Sequence, residues 1–348
     1  MDSTKYLQRF LTRSGNAKSI FQLSLLLGTV IPIAFLAIIY GFPSWAIAPW
    51  ATPFRSIADQ LKHYPQVEAV KSVFLFLAAA HVPATACFYS VKEFRESVIL
   101  SHKARYIYAP LALFLFSGSV FAFSSEFIKP YLLLVYWVWQ AYHYGKQNLG
   151  VYSFISYAQG KSTHKLEKLS IALGTLIGVL SAGKILGMGV APAYLHGLIN
   201  LSYWAGYFVF LMALALSVYT FSMRRTDFTV TKSIFFFLLV FFFVPAYFPG
   251  DTLITFSTYA TAHGIQYIVF MAVIAGGKSL LKPFCLLLLY LGLGGFLIAR
   301  LPEYTNFFAG GLVGLTMGHF VVDAHAWKLS QVNQRRFILR KFAFVFSK

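Results

Sequence analysis

A chain of 348 residues that is 58% hydrophobic and only 11% charged has too small a polar complement for a soluble domain of its size, so water is not its main solvent. The formal net charge of +18 would fit nucleic acid, but its Lys and Arg residues gather in alternate loops and at both ends, with no aromatic-plus-basic groove, and nucleic acid is set aside as a partner. Cys87 and Cys285 fall inside apolar stretches and read as packing residues, not as a disulfide framework.

The polar segment 1–18 carries Lys5, Arg9, Arg13 and Lys18 and precedes an apolar stretch at 19–41. No small-residue cleavage pattern follows that stretch, so it is expected to stay as a span. Further stretches near the ~20 residues needed to cross a bilayer follow at 70–91, 106–123, 130–152, 169–186, 197–221, 233–248, 253–276, 284–299 and 307–327. The expectation is an all-α polytopic bundle of about ten transmembrane helices, a single transmembrane domain over 1–348 made of a cytoplasmic N-terminal segment at 1–18, the membrane bundle at 19–327 and a basic cytoplasmic tail at 328–348. Segment 169–186 is interrupted by Gly and Ser, and 233–248 is short and contains Pro245. The connection 42–69, with Pro43, Trp45, Pro49, Trp50 and Pro53, is expected at the outer interface, where Trp rings prefer the headgroup level. The tail mixes Arg335, Arg336, Arg340 and Lys341 with Phe337, Ile338, Leu339, Phe342, Phe344 and Phe346. It reads either as a helix lying on anionic lipid or as a disordered positive-inside tail.

Positive charge orients such a bundle, because short cytoplasmic loops are richer in Lys and Arg. With the N-terminus inside, ten alternating spans put 22 of these residues on the cytoplasmic side and six outside, leaving Lys146 alone within a span. Both termini are then cytoplasmic and the chain is a multi-pass protein of the inner membrane.

Ionisable groups at the centre of a bilayer cost roughly 2.5–3.5 kcal/mol each for Asp, Lys or Arg on insertion scales, so the ones retained mark a site. They are His81, His143, Lys146, His263, His319 and Asp323. In the ten-span topology, the segments at 70–91, 130–152, 253–276 and 307–327 all run from outside to inside, and their histidines fall at one depth near the midplane. Trp139, His143 and Gln147 form one stripe at i, i+4 spacing, Thr255, Tyr259, His263 and Tyr267 another with Gln266 beside it, and His319 and Asp323 a third. His81 shares a face with Thr85, beside a kink expected at Pro83.

Imidazoles on separate helices with a carboxylate one turn away suit a transition metal. His81, His143, His263 and His319 are the candidate ligands, and Asp323 is either a ligand or the carboxylate that orients His319. Lys146, Gln147, Gln266 and Tyr267 are the candidate catalytic or substrate-binding residues, with Lys146 a counter-charge or anchor unless it snorkels to the interface. Taken singly, each histidine reads as well as a contact between helices, worth about 0.6 kcal/mol. His63, His102, His164 and His196 fall in loops or at a helix end, and His325 lies off the His319–Asp323 face. Gly310, Gly314 and Gly318 form a small-residue ladder for close helix packing.

The segments Trp139–Gly150 (WQAYHYGKQNLG), His263–Tyr267 (HGIQY) and His319–Lys328 (HFVVDAHAWK) resemble the His-containing signatures of a group of poorly characterised bacterial polytopic membrane proteins. More distantly, the YHYG of Tyr142–Gly145 is similar to part of the aromatic-His-aromatic-Gly motif of the Brp/Blh-like β-carotene 15,15′-dioxygenases. The resemblance implies intramembrane histidines holding iron. It departs from that family around His81, which has no His-Gly-x-x-Asp-His signature, and after YHYG, where Gln147 and Asn148 replace an acidic residue. The carotenoid substrate therefore does not carry over.

The function expected is a membrane metalloenzyme, an iron-dependent oxygenase or oxidoreductase acting on a lipophilic, carotenoid- or lipid-like molecule drawn from the bilayer. Haem or zinc are alternative cofactors. A proton-coupled transporter using the same His, Lys and Asp residues as a relay, and a b-type haem protein, are the rival functions. Protein partners are not indicated.

Overall fold

The computed structural model describes residues 14–41, 81–124, 128–184, 191–247, 252–276, 288–289, 291–292 and 306–346. Every regular element among these residues is helical. The principal helices are α1 (Ser14–Gly41), α2 (Ala109–Phe123), α3 (Lys129–Ala158), α4 (Lys165–Ala182), α5 (His196–Met223), α6 (Val230–Val240), α7 (Thr252–Ala275), α8 (Asn306–Ala326) and α9 (Val332–Lys341). Their starts follow local chemistry. Pro110 and Pro130 occupy the first turns of α2 and α3, where a missing N–H is harmless. Thr229 Oγ1 caps α6 by accepting the Lys232 N–H at 3.2 Å. At α4 the cap is His164, whose Nδ1 accepts the Leu166 N–H at 3.2 Å while Glu167 Oε2 accepts the His164 N–H at 3.1 Å.

Among the described residues, five helical stretches are long and apolar enough to cross a membrane: Ala17–Ala34, Ala104–Phe123, Ala193–Met223, Thr258–Ala275 and Asn306–Ala326. They coincide with five of the ten segments read from the sequence. α3 covers 130–152 and α4 covers 169–182 of the segment 169–186, but their polar residues leave them outside that set. The apolar run at 233–248 is a different object. α6 has 11 residues, about 16 Å of rise, roughly half of a ~30 Å hydrocarbon core, and only a 3-10 turn at Val244–Tyr247 continues it. Phe235, Phe236, Leu239 and Val240 on this helix are buried, so its apolarity serves the protein core. The expected span at 70–91 is described from residue 81 onward. Segment 284–299, apart from four helical positions, and the connection 42–69 lie outside the described residues.

Where the side chains face outward they are apolar. Leu198, Leu201, Trp204, Phe208 and Met223 of α5 are all more than 60% exposed, a surface that water opposes and lipid accepts. The chain therefore associates with membrane through several apolar helices.

The glycine ladder of α8 meets α2. A Cβ on Gly310 would meet the Ser117 carbonyl, one on Gly314 the Leu113 carbonyl, and one on Gly318 the Pro110 ring. The glycines of α8, which carries His319 and Asp323, thus lie directly on the backbone and side chains of α2. Gly314→Val is expected to lower the thermal midpoint of the purified protein in a fixed detergent, by the ~1–3 kcal/mol or more of an overpacked contact. Gly197→Ala, whose Cβ meets nothing within 4 Å, should leave it unchanged.

The basic tail is ordered. α9 and the turn Ala343–Phe346 bury Phe337, Ile338, Phe342 and Val345. Phe342 packs against Phe21, Phe154, Phe270 and Trp327 at ring separations of 5.3–6.1 Å. The apolar face expected to lie on lipid, or in a disordered tail, is instead taken up by the protein, because its aromatic residues find an aromatic floor at the ends of α1, α3 and α7. Lys341 donates to the Gly276 carbonyl at 2.8 Å, and burial holds its ammonium below the ordinary lysine range. Arg335, Arg336 and Arg340 remain exposed.

Candidate metal centre

The four histidines singled out in the sequence come together. His81 stands in the helical run 81–84, which breaks at Thr85; His143 is on α3, His263 on α7, and His319 with Asp323 on α8. All five side chains are buried. The imidazoles form a closed ring, His81 to His263 at 4.7 Å, His263 to His143 at 5.0 Å, His143 to His319 at 5.0 Å and His319 to His81 at 5.1 Å between ring centroids. Since an imidazole bound at ~2.1 Å places its ring centre ~3.2 Å from the ion, four rings around one ion in a tetrahedron would lie ~5.2 Å apart.

Several nitrogens of the His143, His263 and His319 imidazoles lack hydrogen-bond partners. Among the described residues, His143 Nε2, His319 Nε2 and both ring nitrogens of His263 are buried without a hydrogen bond. Each such orphan costs about 1–3 kcal/mol unless something else satisfies it. Asp323 Oδ2 stands 3.9 Å from His143 Nε2 and 3.9 Å from His319 Nε2. Two ligands at ~2.1 Å from one ion can be no more than ~4.2 Å apart, so this spacing lies inside the limit. Two overlapping ligand triplets result, His81, His263 and His319, and His143, His319 and Asp323, with the ligand atoms of each set within 4.8 Å of one another.

No protein-family model, curated protein or solved structure matches the chain. The site is therefore read from its own geometry.

A hydrogen-bonded chain holds two of these groups. His319 Nδ1 lies 2.7 Å from Thr85 Oγ1, which lies 3.0 Å from the Tyr267 hydroxyl, and Tyr267 donates to Asp323 Oδ1 at 2.8 Å. With Tyr267 giving its proton to the carboxylate, the Thr85 hydroxyl is free to donate to the Tyr267 oxygen and to accept the Nδ1–H of His319. That order of protons leaves His319 Nε2 as a bare lone pair, with Asp323 Oδ2 3.9 Å from it and from His143 Nε2. Thr85 is the residue the sequence singles out least. It lies one turn after His81, and a helical Thr ordinarily bonds its own backbone, so nothing in the sequence marks its reach to α7 and α8. Thr85→Val keeps the shape and removes the hydroxyl; we expect metal affinity, measured by competition with a chelator, to fall about 10–100-fold.

The two glutamines act behind the ring. Gln147 Nε2 donates to the His263 carbonyl and to Gln266 Oε1, both at 3.0 Å, and Gln266 Nε2 donates to Thr29 Oγ1 at 2.8 Å. α1, α3 and α7 are thereby tied at the level of His263. Gln266 is fully buried and occupied at both ends, so it positions. Tyr144 covers His263 at 4.1 Å and is fixed by Gln140, which donates to its hydroxyl at 2.6 Å; Phe320 stacks on His143 at 4.4 Å.

A cavity of about 430 Å³ opens between α3, α7 and α8 beside the ring. His143, Asp323 and Tyr267 stand in its wall with Gln147, and aromatic and aliphatic groups including Trp139, Phe320 and Trp327 line most of the remainder. Lys146, exposed, also borders it, its Nζ 5.9 Å over the Tyr142 ring. His325 belongs elsewhere: its Nδ1 is 3.1 Å from the Tyr106 hydroxyl and 3.3 Å from Gln334 Nε2, and its ring packs on His102 at 4.7 Å.

Proposed function

We propose that this chain is a multi-pass metalloenzyme of the inner membrane that binds iron between its histidines and oxidises a lipophilic substrate. The observation that carries the reading is the buried set of unpartnered imidazole nitrogens of His143, His263 and His319, converging with Asp323 beside an aromatic-walled cavity. Two histidines and one carboxylate, as in His143, His319 and Asp323, are the donor set that suits non-haem ferrous iron. Such an ion would supply redox and oxygen chemistry that no side chain of the chain offers. The chain's own part is to keep the nitrogens deprotonated and aimed, through Thr85 and Tyr267, and to exclude water with Phe320, Tyr144 and Trp139.

A haem suits the geometry less well, because rings 4.7–5.1 Å apart on four sides leave no slot for a macrocycle between them. Among the described residues, the five apolar crossing helices support the multi-pass reading, while the short α6 removes 233–248 from the ten spans that the 22-to-six split of Lys and Arg assumes.

Metal analysis and an absorption spectrum of the purified full chain test this reading. About one transition metal ion per chain, iron, without a haem band, is expected. Folded protein with no stoichiometric metal, together with His263→Ala leaving cellular activity intact, rejects it; a haem spectrum selects that rival.

A further inference from the structure

The cavity beside the imidazole ring is walled mainly by aromatic and aliphatic groups, yet one ammonium borders it. Lys146 sits three residues beyond His143 on α3, so the same helix presents a candidate metal ligand and a cation to one space. Among the described residues the one carboxylate in that wall is Asp323, whose Oδ1 takes the Tyr267 hydroxyl and whose Oδ2 lies 3.9 Å from His143 Nε2 and from His319 Nε2. Among the described residues no carboxylate pairs with Lys146; its one neighbour of note is the Tyr142 ring. A cation at the edge of an apolar cavity gains most from an anion whose remaining surface is apolar, since the tail is buried while the head meets its counter-charge.

We infer that the cavity takes an amphiphile with an anionic head group, a fatty-acid-like carboxylate, with the head at Lys146 and the chain among Trp139, Phe320, Phe154 and Phe270. The inference rests on reading this cavity as the substrate site and adds the class of molecule. A volume of about 430 Å³ is within the range of small-molecule sites, roughly 300–1,000 Å³. One position permits a clean block. Gly150 lines the cavity, and a Cβ there meets nothing within 4 Å, so a larger side chain fills the space without pressing on the fold.

The test uses the full chain in lipid nanodiscs and two probes with one tail, cis-parinaric acid and its methyl ester. Trp139 and Trp327 in the wall transfer excitation to the bound polyene, which reads binding directly. The acid should bind about tenfold more tightly than the ester, the range expected for one charge-assisted contact. Lys146→Met should bring the acid down to the ester's affinity, and Lys146→Arg should keep the preference. Gly150→Leu should weaken both probes together. Equal affinities for acid and ester in the unaltered protein, or a preference that survives Lys146→Met, would overturn the inference, the latter meaning that the lysine serves only the membrane interface. Binding that Gly150→Leu leaves untouched also overturns it. Metal content measured on the same samples separates the two readings: preference without metal sinks the metalloenzyme and keeps the amphiphile, and metal without preference does the reverse.

Discussion

Protein carrying His319→Ala is expected to purify folded and without stoichiometric metal, whereas His81→Ala or His143→Ala should retain metal at weakened affinity. The difference follows from geometry. His319 belongs to both ligand triplets, while His81 and His143 belong to one each. Removing His319 takes an atom from every set of three. It also releases Thr85, whose hydroxyl then loses its acceptor role toward Nδ1 and its part in holding Tyr267 and Asp323. Removing His81 leaves His143, His319 and Asp323 in place, and removing His143 leaves His81, His263 and His319. Metal content by elemental analysis, with chelator competition for the partial variants, reads the ordering. If all three variants lose metal equally, the shared role of His319 is wrong. If none does, the imidazoles are contacts between helices, and the orphaned nitrogens need another explanation.

Much of this cluster was legible in the sequence because the membrane constrains it so strongly. A histidine in an apolar stretch must turn inward, and a common direction for four stretches fixes a common depth, which is why His81, His143, His263 and His319 could be grouped with no shared local motif. The structure brings those four and Asp323 into one buried group. Hydropathy is blind to what an apolar run faces. The run at 233–248 reads like a crossing helix, but Phe235 and Phe236 are fully buried, and Phe236 faces α3 and the loop before α6, where Tyr152 and Phe228 meet it at 5.7 and 5.2 Å. Polar partners distant in sequence were equally out of reach: Thr85 and Tyr267 are 182 positions apart, and only the packing of their helices brings their hydroxyls together. The tail shows the same limit, since Phe337 and Phe342 have one pattern whether lipid or protein covers them.

The largest loss of stability is expected at a pair that charge counting assigned to a cytoplasmic loop. Lys232, one of the 22 residues placed inside by the topology, is fully buried in the first turn of α6, and its Nζ donates to Glu167 Oε1 at 2.9 Å, also fully buried at the start of α4. The ammonium lies 4.8 Å over the Phe228 ring and 5.8 Å over that of Tyr152, so aromatic faces complete its shell. Glu167 meanwhile caps α4 through the His164 N–H, and Arg224 Nε approaches it only to 4.0 Å while the same guanidinium pairs with Asp227. Lys232→Met therefore strands a carboxylate in a dry place. A buried pair broken on one side costs about 3–5 kcal/mol, and the thermal midpoint in a fixed detergent should drop by many degrees or the protein should fail to accumulate. Adding Glu167→Gln removes the stranded charge and keeps an acceptor for the His164 N–H. The double variant should accordingly be more stable than Lys232→Met alone, because the penalty lies in the unpaired charge and not in the absence of the bond. Should the second substitution add to the first, the pair is holding the ends of α4 and α6 together by attraction, and the desolvation argument fails.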